Sequence, residues 1–291
     1  FAPLNTIVLP GDTLWVDKKG TIEIELAGGA FLRMADGSKV EAVQFVPDVL
    51  FRAWHGSFYV HRLRTSTAEI VLATPACEVK IPQDALVRID IVGDGSTTVS
   101  VRNGQALVRA ANETAVVGEG RRVFVDAGLL PSAPVFFDRT AEDEFDLWNR
   151  DRVRLITVGA EPSRTPIKTV RAPIGIYDLA PYGEWVYIDT VPYWRPTVVV
   201  NYVPYRYGRW SFVSGVGYVW VGQYPFSYIT THYGRWMCHP VYGWVWTYRD
   251  VWAPAWCATV RYGPYFVWSP LDPFDRPIVV GSATFNIGNV A

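Results

Sequence analysis

The sequence predicts an all-β protein of two domains bridged by one helix, and three observations carry that expectation. Between Leu14 and about Val125, short runs of alternating apolar and polar residues are broken by Gly, Asp and Asn turns. Further on, one tetrapeptide returns three times, as Tyr182-Gly183-Glu184-Trp185, Tyr207-Gly208-Arg209-Trp210 and Tyr233-Gly234-Arg235-Trp236. Between these regions only one stretch, near 140–153, reads as a helix.

The strand-rich half can be followed in order. Thr21 to Leu26 alternates, which puts Ile22, Ile24 and Leu26 on one buried face. Gly28-Gly29 and Asp36-Gly37 read as turns, because Gly and Asp tolerate positive φ. Leu86 to Ile91 is a further strand, closed by Gly93-Asp94-Gly95. Thr97 to Val101 and Ala106 to Arg109 flank the turn Asn103-Gly104. Many short strands at this spacing indicate a sandwich, barrel or roll.

Several of these pieces resemble a FecR-type domain. They are Pro10-Gly11-Asp12-Thr13-Leu14-Trp15, Leu26 to Leu32, Ala35-Asp36-Gly37-Ser38, Thr74-Pro75-Ala76, Gly93-Asp94-Gly95 and Val101-Arg102-Asn103-Gly104. The likeness spans roughly residues 8–127 and lies in the shared order of short motifs. It implies a β-sandwich or roll of the periplasmic or extracellular kind. In iron-signalling regulators such domains follow an anti-sigma segment and a membrane helix; neither is seen here, so a sigma-regulatory role is not expected.

Pro131 to Asp138 reads as a linker. In the helix that follows, Thr140 and Asp143 have the spacing of a capping box, while Phe145, Trp148 and Arg152 share one face. That aromatic stripe is expected to pack between the two domains. Pro162, Pro166 and Pro173 then mark a connector. Beyond it the composition changes: ten of 13 tryptophans lie at or after Trp185, fifteen of 16 tyrosines at or after Tyr177, and the last lysine is Lys168. The shift divides the chain into an arm (1–10), a β domain (11–130), a linker with helix (131–176), an aromatic β-repeat domain (177–273) and a second arm (274–291).

The repeats start 25 and 26 residues apart, with a weaker echo at Tyr262-Gly263. Each is expected to be a pair of strands: Trp185 to Ile188 with Thr197 to Tyr202, Trp210 to Val213 with Tyr218 to Val221, and Trp236 to Cys238 with Trp244 to Tyr248. The motif glycine suits a bulge or positive φ, and Arg209 and Arg235 can stack on neighbouring rings. These units resemble a bacterial repeat domain of unknown function that follows FecR-type domains in exported proteins. Phe145-Asp146-Leu147-Trp148, Tyr193-Trp194-Arg195-Pro196, Tyr242 to Trp246, Trp252 to Trp256 and Trp268-Ser269-Pro270-Leu271 complete the likeness, over about 140–273. The resemblance brings no activity with it.

The residues themselves supply no catalytic pattern. With 27 basic and 28 acidic side chains the net charge of -1 gives no case for nucleic acid. No run of apolar residues is long enough to span a bilayer as a helix. His232, Cys238, His239 and Cys257 have metal-ligand types but no metal-ligand spacing, so no metal or other cofactor is expected. Asp178, Glu184, Asp189, Asp250, Asp272 and Asp275 offer carboxylates, yet none can be paired across a substrate from sequence. Neither a G-x-S-x-G nucleophile nor a phosphate-cradling loop is present, and the expectation is a protein that is not an enzyme. Of three cysteines, Cys238 and Cys257 form the candidate disulfide, with separate buried thiols as the alternative.

The ends of the chain are apolar and extended. The start at Phe1-Ala2-Pro3-Leu4, without an initiator Met, leads us to expect processing after export to the cell surface, the medium or the periplasm. Phe1, Leu4, Ile7 and Leu9 in one arm, with Phe285 and Ile287 in the other, are candidate assembly contacts. Such arms either complete their own sheet or add to a neighbour's edge. The leading expectation is therefore a structural subunit that self-associates, as a homo-oligomer or a filament joined by strand exchange. The alternatives are a module binding envelope glycan through exposed aromatics of the repeats, and a FecR-like envelope signalling module.

Overall fold

The computed structural model describes residues 4–159, 165–167 and 172–278, together with the backbone of 286–288. It is an all-β protein, and it divides into two compact units, Val8–Arg152 and Val153–Ala291 with Phe1–Ile7.

The first unit contains thirteen strands: β1 (Thr13–Trp15), β2 (Ile22–Leu26), β3 (Ala30–Met34), β4 (Lys39–Gln44), β5 (Val49–Arg62), β6 (Ile70–Ala73), β7 (Glu78–Ile81), β8 (Ala85–Ile91), β9 (Thr97–Asn103), β10 (Gln105–Ala110), β11 (Glu113–Gly118), β12 (Arg121–Val125) and β13 (Val135–Phe136). They form two layers that share β5. The first half of β5 pairs with β4 and β6, the second half with β3 and β8. One layer then runs β1-β4-β5-β6-β7-β10-β11 and the other β2-β3-β5-β8-β9-β12-β13. The core between them is aliphatic, with Val40, Phe51 and Leu72 from one layer meeting Leu32, Val87 and Val99 from the other.

A strand that changes layers must bend sharply, and bulges and glycines supply such corners. Gly56 lies at the bend with φ +106, and a Cβ there would stand 2.2 Å from Ser38 Oγ. No other residue fits. The 14-residue length of β5 was not legible in the sequence, because its central His55-Gly56-Ser57 reads as a break between two short strands.

Helix α1 (Glu144–Gly159) begins four residues later than the pattern suggested. Its capping box is made by Asp143 and Asp146, each accepting the other's backbone N–H at 2.8 and 3.1 Å, whereas Thr140 turns to Asp138. Phe145 and Trp148 pack on Ala35, Tyr59 and Leu86 of the first unit. Around them, Asp146 receives Tyr59 Oη at 2.5 Å, Arg88 at 2.8 Å and Arg102 at 3.0 Å. Glu23 takes Arg33 at 2.6 Å and Arg152 at 2.5 Å. The first part of the helix is thus clasped to the outer face of the second layer by charge as well as by rings.

Burial alone would raise the Asp146 carboxyl, but the hydrogen bonds from Tyr59 and Arg88 outweigh it and hold it below the ordinary range. A carboxylate depressed in the folded state stabilises above its unfolded pKa of about 3.9, and that stability fades as pH falls through the lower folded value. We expect Asp146→Asn to cost about 2 kcal/mol in urea unfolding of the first unit, since Arg102 loses its carboxylate partner while Arg88 keeps Asp90 and Asp143. The difference between variant and parent should shrink below pH 4, and a constant difference from pH 7 to pH 3 would contradict the clasp.

The second unit takes in the end of α1 and then, among the described residues, a 3-10 turn (Ile176–Asp178) and α2 (Leu179–Tyr182). Four hairpins follow: β14 (Gly183–Ile188) with β15 (Val191–Pro196), β16 (Gly208–Val213) with β17 (Gly217–Gly222), β18 (Arg235–His239) with β19 (Gly243–Thr247), and β20 (Cys257–Tyr262) with β21 (Tyr265–Pro270). Helix α3 (Ser227–His232) precedes the third, and β22 (Asn286–Gly288) adds to β21. The first hairpin corrects the sequence reading, because its second strand is Val191–Pro196 and not Thr197 to Tyr202. Asp189 and Thr190 both take positive φ, 48° and 71°, which closes a tight two-residue turn that Thr does not advertise. The echo at Tyr262-Gly263 is a hairpin tip, not a fourth start of the motif.

Candidate functional site

The site is built from the Tyr-Gly-x-Trp units themselves. In every copy the motif Trp is opposite a second Trp on the return strand: Trp185 with Trp194, Trp210 with Trp220, and Trp236 with Trp246. The first and third hairpins join through Trp194 and Trp246, giving the sheet order β14-β15-β19-β18. Four tryptophans therefore form one rung across four strands, in the order Trp185, Trp194, Trp246, Trp236. In the second hairpin Trp210 and Trp220 instead meet Trp268 of the fourth, at 6.0 and 5.8 Å between ring centres.

The motif glycine makes room for the indole. A Cβ on Gly183 would lie 2.3 Å from the Trp194 ring, one on Gly208 2.6 Å from Trp220, and one on Gly234 2.8 Å from Trp246. This close approach replaces the expected bulge; only Gly234 also has positive φ, at 67°. The fourth hairpin has Cys257 and Thr259 where the motif glycine and Trp would stand, which is why the repeat fades there.

Three of the four indole N–H groups in the rung end on main-chain carbonyls. Trp194 donates to Leu179, Trp236 to Thr230 and Trp246 to Tyr233, at 3.0, 2.8 and 2.8 Å. Trp268 donates to Tyr205 at 3.0 Å, while Trp185 Nε1 is buried without a partner. Each buried indole removes roughly 200 Å² from water, about 5 kcal/mol of gross stabilisation. These rings hold the unit together and leave little to offer a ligand: Trp236 is buried, and Trp185 and Trp210 are half-buried.

The motif arginines part company. Arg235 is buried over the Trp256 ring at 3.5 Å and pairs with Asp275 at 2.5 Å. That hydrogen bond holds the Asp275 carboxyl below its usual range. Arg209 is exposed and donates to Ser211 Oγ, so the expected ring stacking is made by Arg235 alone of the two. Glu184 in the first copy pairs across the hairpin with Arg195 at 2.6 Å.

Among the candidate ligands, His232 is buried against Tyr228 and Trp252, its Nδ1 on the Ala253 carbonyl, and burial pushes its pKa down to about 4. His239 Nδ1 accepts from the backbone of Val241 and Tyr242. Among the described residues no three His, Cys, Asp or Glu side chains come together to hold a metal ion. All three cysteines are free. The candidate bridge between Cys238 on β18 and Cys257 on β20 is not formed, nor are the two both buried thiols, since Cys238 is exposed and Cys257 half-buried. Burial raises the Cys257 thiol to about 12.

The terminal contacts are within the chain where they can be followed. Asn5 Nδ2 donates to the carbonyls of Gly222 and Tyr224, at 2.8 Å each, and ties residues 4–7 to the second unit. Leu4 is exposed, while Ile7 and Leu9 are half-buried. On the other side Ile287 pairs through its backbone with Val267. Phe1, Phe285 and the Ile287 side chain lie outside the described residues.

What the hairpins do expose are their free ends. Two residues beyond the first two motif tryptophans, on the same face, stand Tyr187 and Phe212, while the third has Cys238 there; Tyr218 lies opposite Phe212. Tyr187 is 62% exposed, Phe212 69% and Tyr218 51%, and the last two rings meet edge to face at 5.6 Å. On the fourth hairpin Phe266 holds the matching place, two residues from Trp268 and opposite Arg261, while the exposed Tyr262 and Tyr265 pair one step nearer the tip and face the other way. Sequence periodicity could have found these positions by counting two residues outward from each Trp, but the repeated tetrapeptide draws the eye to its own members.

Residues 176–275 match the model of a family of unknown function, DUF6600. The match runs from the 3-10 turn before the first hairpin to Asp275, the partner of Arg235, so it covers the aromatic unit described above. No curated protein is similar to the chain. Two crystal structures, at 1.65 and 2.50 Å resolution, of a candidate anti-sigma factor from Parabacteroides distasonis overlap with it at TM-score 0.39 and 16–17% identity. The overlap covers 44% of this chain and 60% of that one, so the chain spans less than two thirds of the length of that protein. No helix among the described residues is long and apolar enough to cross a membrane.

Filling the space under an indole should be costly. We expect Gly183→Ala and Gly208→Ala each to lose about 1–3 kcal/mol in chemical unfolding, and Gly234→Ala more, since its φ adds strain. Gly215 at the tip of the second hairpin has open space around its Cβ position, so Gly215→Ala should cost only about 1 kcal/mol from its positive φ. Equal losses at all four positions would contradict the close-approach account.

Proposed function

We propose that the chain is a non-enzymatic, exported binding module whose aromatic hairpins hold an envelope glycan at their free ends. The observation that carries this reading is the exposed pair Phe212 and Tyr218 on a hairpin whose base is locked by Trp210, Trp220 and Trp268. Exposed rings on a rigid support offer large contact area at small entropic cost, and flat faces of sugars are natural partners for them. Contiguous exposed aromatics on an otherwise well-buried domain are also features that call for a partner. The motif tryptophans serve the scaffold, and the contact falls to Tyr187, Phe212 and Tyr218, with Tyr262, Tyr265 and Phe266 as further positions.

The reading of the chain as a self-associating subunit takes second place. In its favour is β22, a terminal strand held to β21 by three residue pairs through the main chain, which a second copy could supply in the same register. Against its priority, those pairs are already made within the chain.

The test is co-sedimentation with insoluble cell-wall polysaccharide. Phe212 and Tyr218 are exposed, so the double variant F212A/Y218A should keep the unfolding midpoint of the parent. We expect its retention on the polysaccharide to fall at least about fivefold, the loss of roughly 1 kcal/mol of ring contact. Equal retention by parent and variant would overturn the glycan reading. Light scattering on the same samples decides the second: a particle mass well above 32.7 kDa that drops when residues 286–291 are removed would favour strand exchange.

A further inference from the structure

The first unit has an aromatic cluster of its own, separate from the hairpins. Trp15 on β1, Lys39 on β4 and His55 on β5 are directly opposite one another, and so point to the same side of three adjacent strands. Between Lys39 and Val40 the register shifts by one, so that Trp54 and His55 together oppose Lys39. A bulge of this kind re-aims a side chain. Here it brings Trp54 beside Lys39, whose Nζ sits 4.7 Å from the ring centre, while Trp15 meets His55 edge to face at 5.3 Å. Gly56 fixes the bend immediately after, since its Cβ position is already taken by Ser38.

Two features of this cluster serve no purpose in the fold. Trp15 is 59% exposed, on a strand whose oppositely facing Leu14 is half-buried against the core. Lys39 has no carboxylate partner among the described residues. Glu41, two residues along β4, pairs instead with Arg52 at 3.0 Å. Lys18 and Lys19 follow Trp15 closely in the chain, and Lys39 is its cross-strand partner. A cation on an aromatic face, beside an open indole and an imidazole, is a recognition surface for a ring that carries negative charge.

We propose that Trp15, Lys39, Trp54 and His55 form a second binding site, on the first unit, for an acidic sugar unit bearing a carboxylate. Trp15 stacks on the sugar ring, Lys39 meets the carboxylate, and His55 directs a hydrogen bond to a hydroxyl or carboxylate oxygen. Trp54 holds Lys39 in place and lowers the entropy lost when it engages. The site stands whether or not the hairpin tips bind glycan, because it shares no residue with them.

The experiment is calorimetric titration of the whole chain with a galacturonate oligomer and with its methyl ester, which keeps the rings and removes the charge. The acid should bind, more weakly as salt rises, and the ester should bind less well. Lys39→Met should weaken the acid about threefold to fivefold and leave the ester unchanged, as for an exposed charge pair. Trp15→Ala, at an exposed position that keeps the fold, should weaken both about tenfold. The hairpin-tip variant F212A/Y218A should leave acid binding by this site intact. Absence of binding by the folded parent at millimolar oligomer, equal affinity for acid and ester, or full binding by both site variants would each overturn the proposal.

Discussion

Both units depend on the same constraint, a glycine whose missing side chain lets another group come into contact with the backbone. In the second unit Gly183, Gly208 and Gly234 admit the indoles of Trp194, Trp220 and Trp246, and the hairpins close around them. In the first unit Gly56 admits Ser38 and lets β5 pass from one layer to the other. The surrounding structure follows from these contacts. The rung of four tryptophans makes one sheet of two hairpins, and the bend in β5 makes one sandwich of two layers.

The division of labour among aromatics follows from position along each hairpin. Near the base, rings meet partners across the strand and from the neighbouring hairpin, so they are buried or half-buried, and the N–H groups of Trp194, Trp236, Trp246 and Trp268 reach carbonyls. Two residues toward the tip there is no neighbour, and the same alternation that half-buries Trp210 exposes Phe212. The exposed rings therefore need no separate design. They arise wherever a hairpin outruns its packing, and they become a surface when the base is rigid enough to hold them still.

Much of this was legible in the sequence. Alternation found Ile22 to Leu26 and Leu86 to Ile91, and the repeat located the second and third hairpins, and the first strand of the first, to within two residues. The β-rich fold class followed from those two signals. Other features were hidden for physical reasons. The turn at Asp189-Thr190 uses positive φ at a residue that usually avoids it, so the second strand was placed six residues late. The capping box of α1 sits on Asp143 and Asp146 because Asp146 is also the group that Tyr59, Arg88 and Arg102 surround, a tertiary demand that local spacing does not reveal. The bulge at Trp54 leaves no pattern at all, since it shows only in the register between β4 and β5.

The claim that the motif tryptophans are scaffold is tested most directly by hydrogen exchange at their indole N–H groups, followed by NMR on the labelled protein. The account predicts that Trp194, Trp236 and Trp246 exchange only through opening of the whole second unit, with protection close to that of the most protected backbone amides of β15 and β19. Exchange of these three indoles at the rate of a free side chain, with the backbone still protected, would show that the rung is open to solvent and would contradict it.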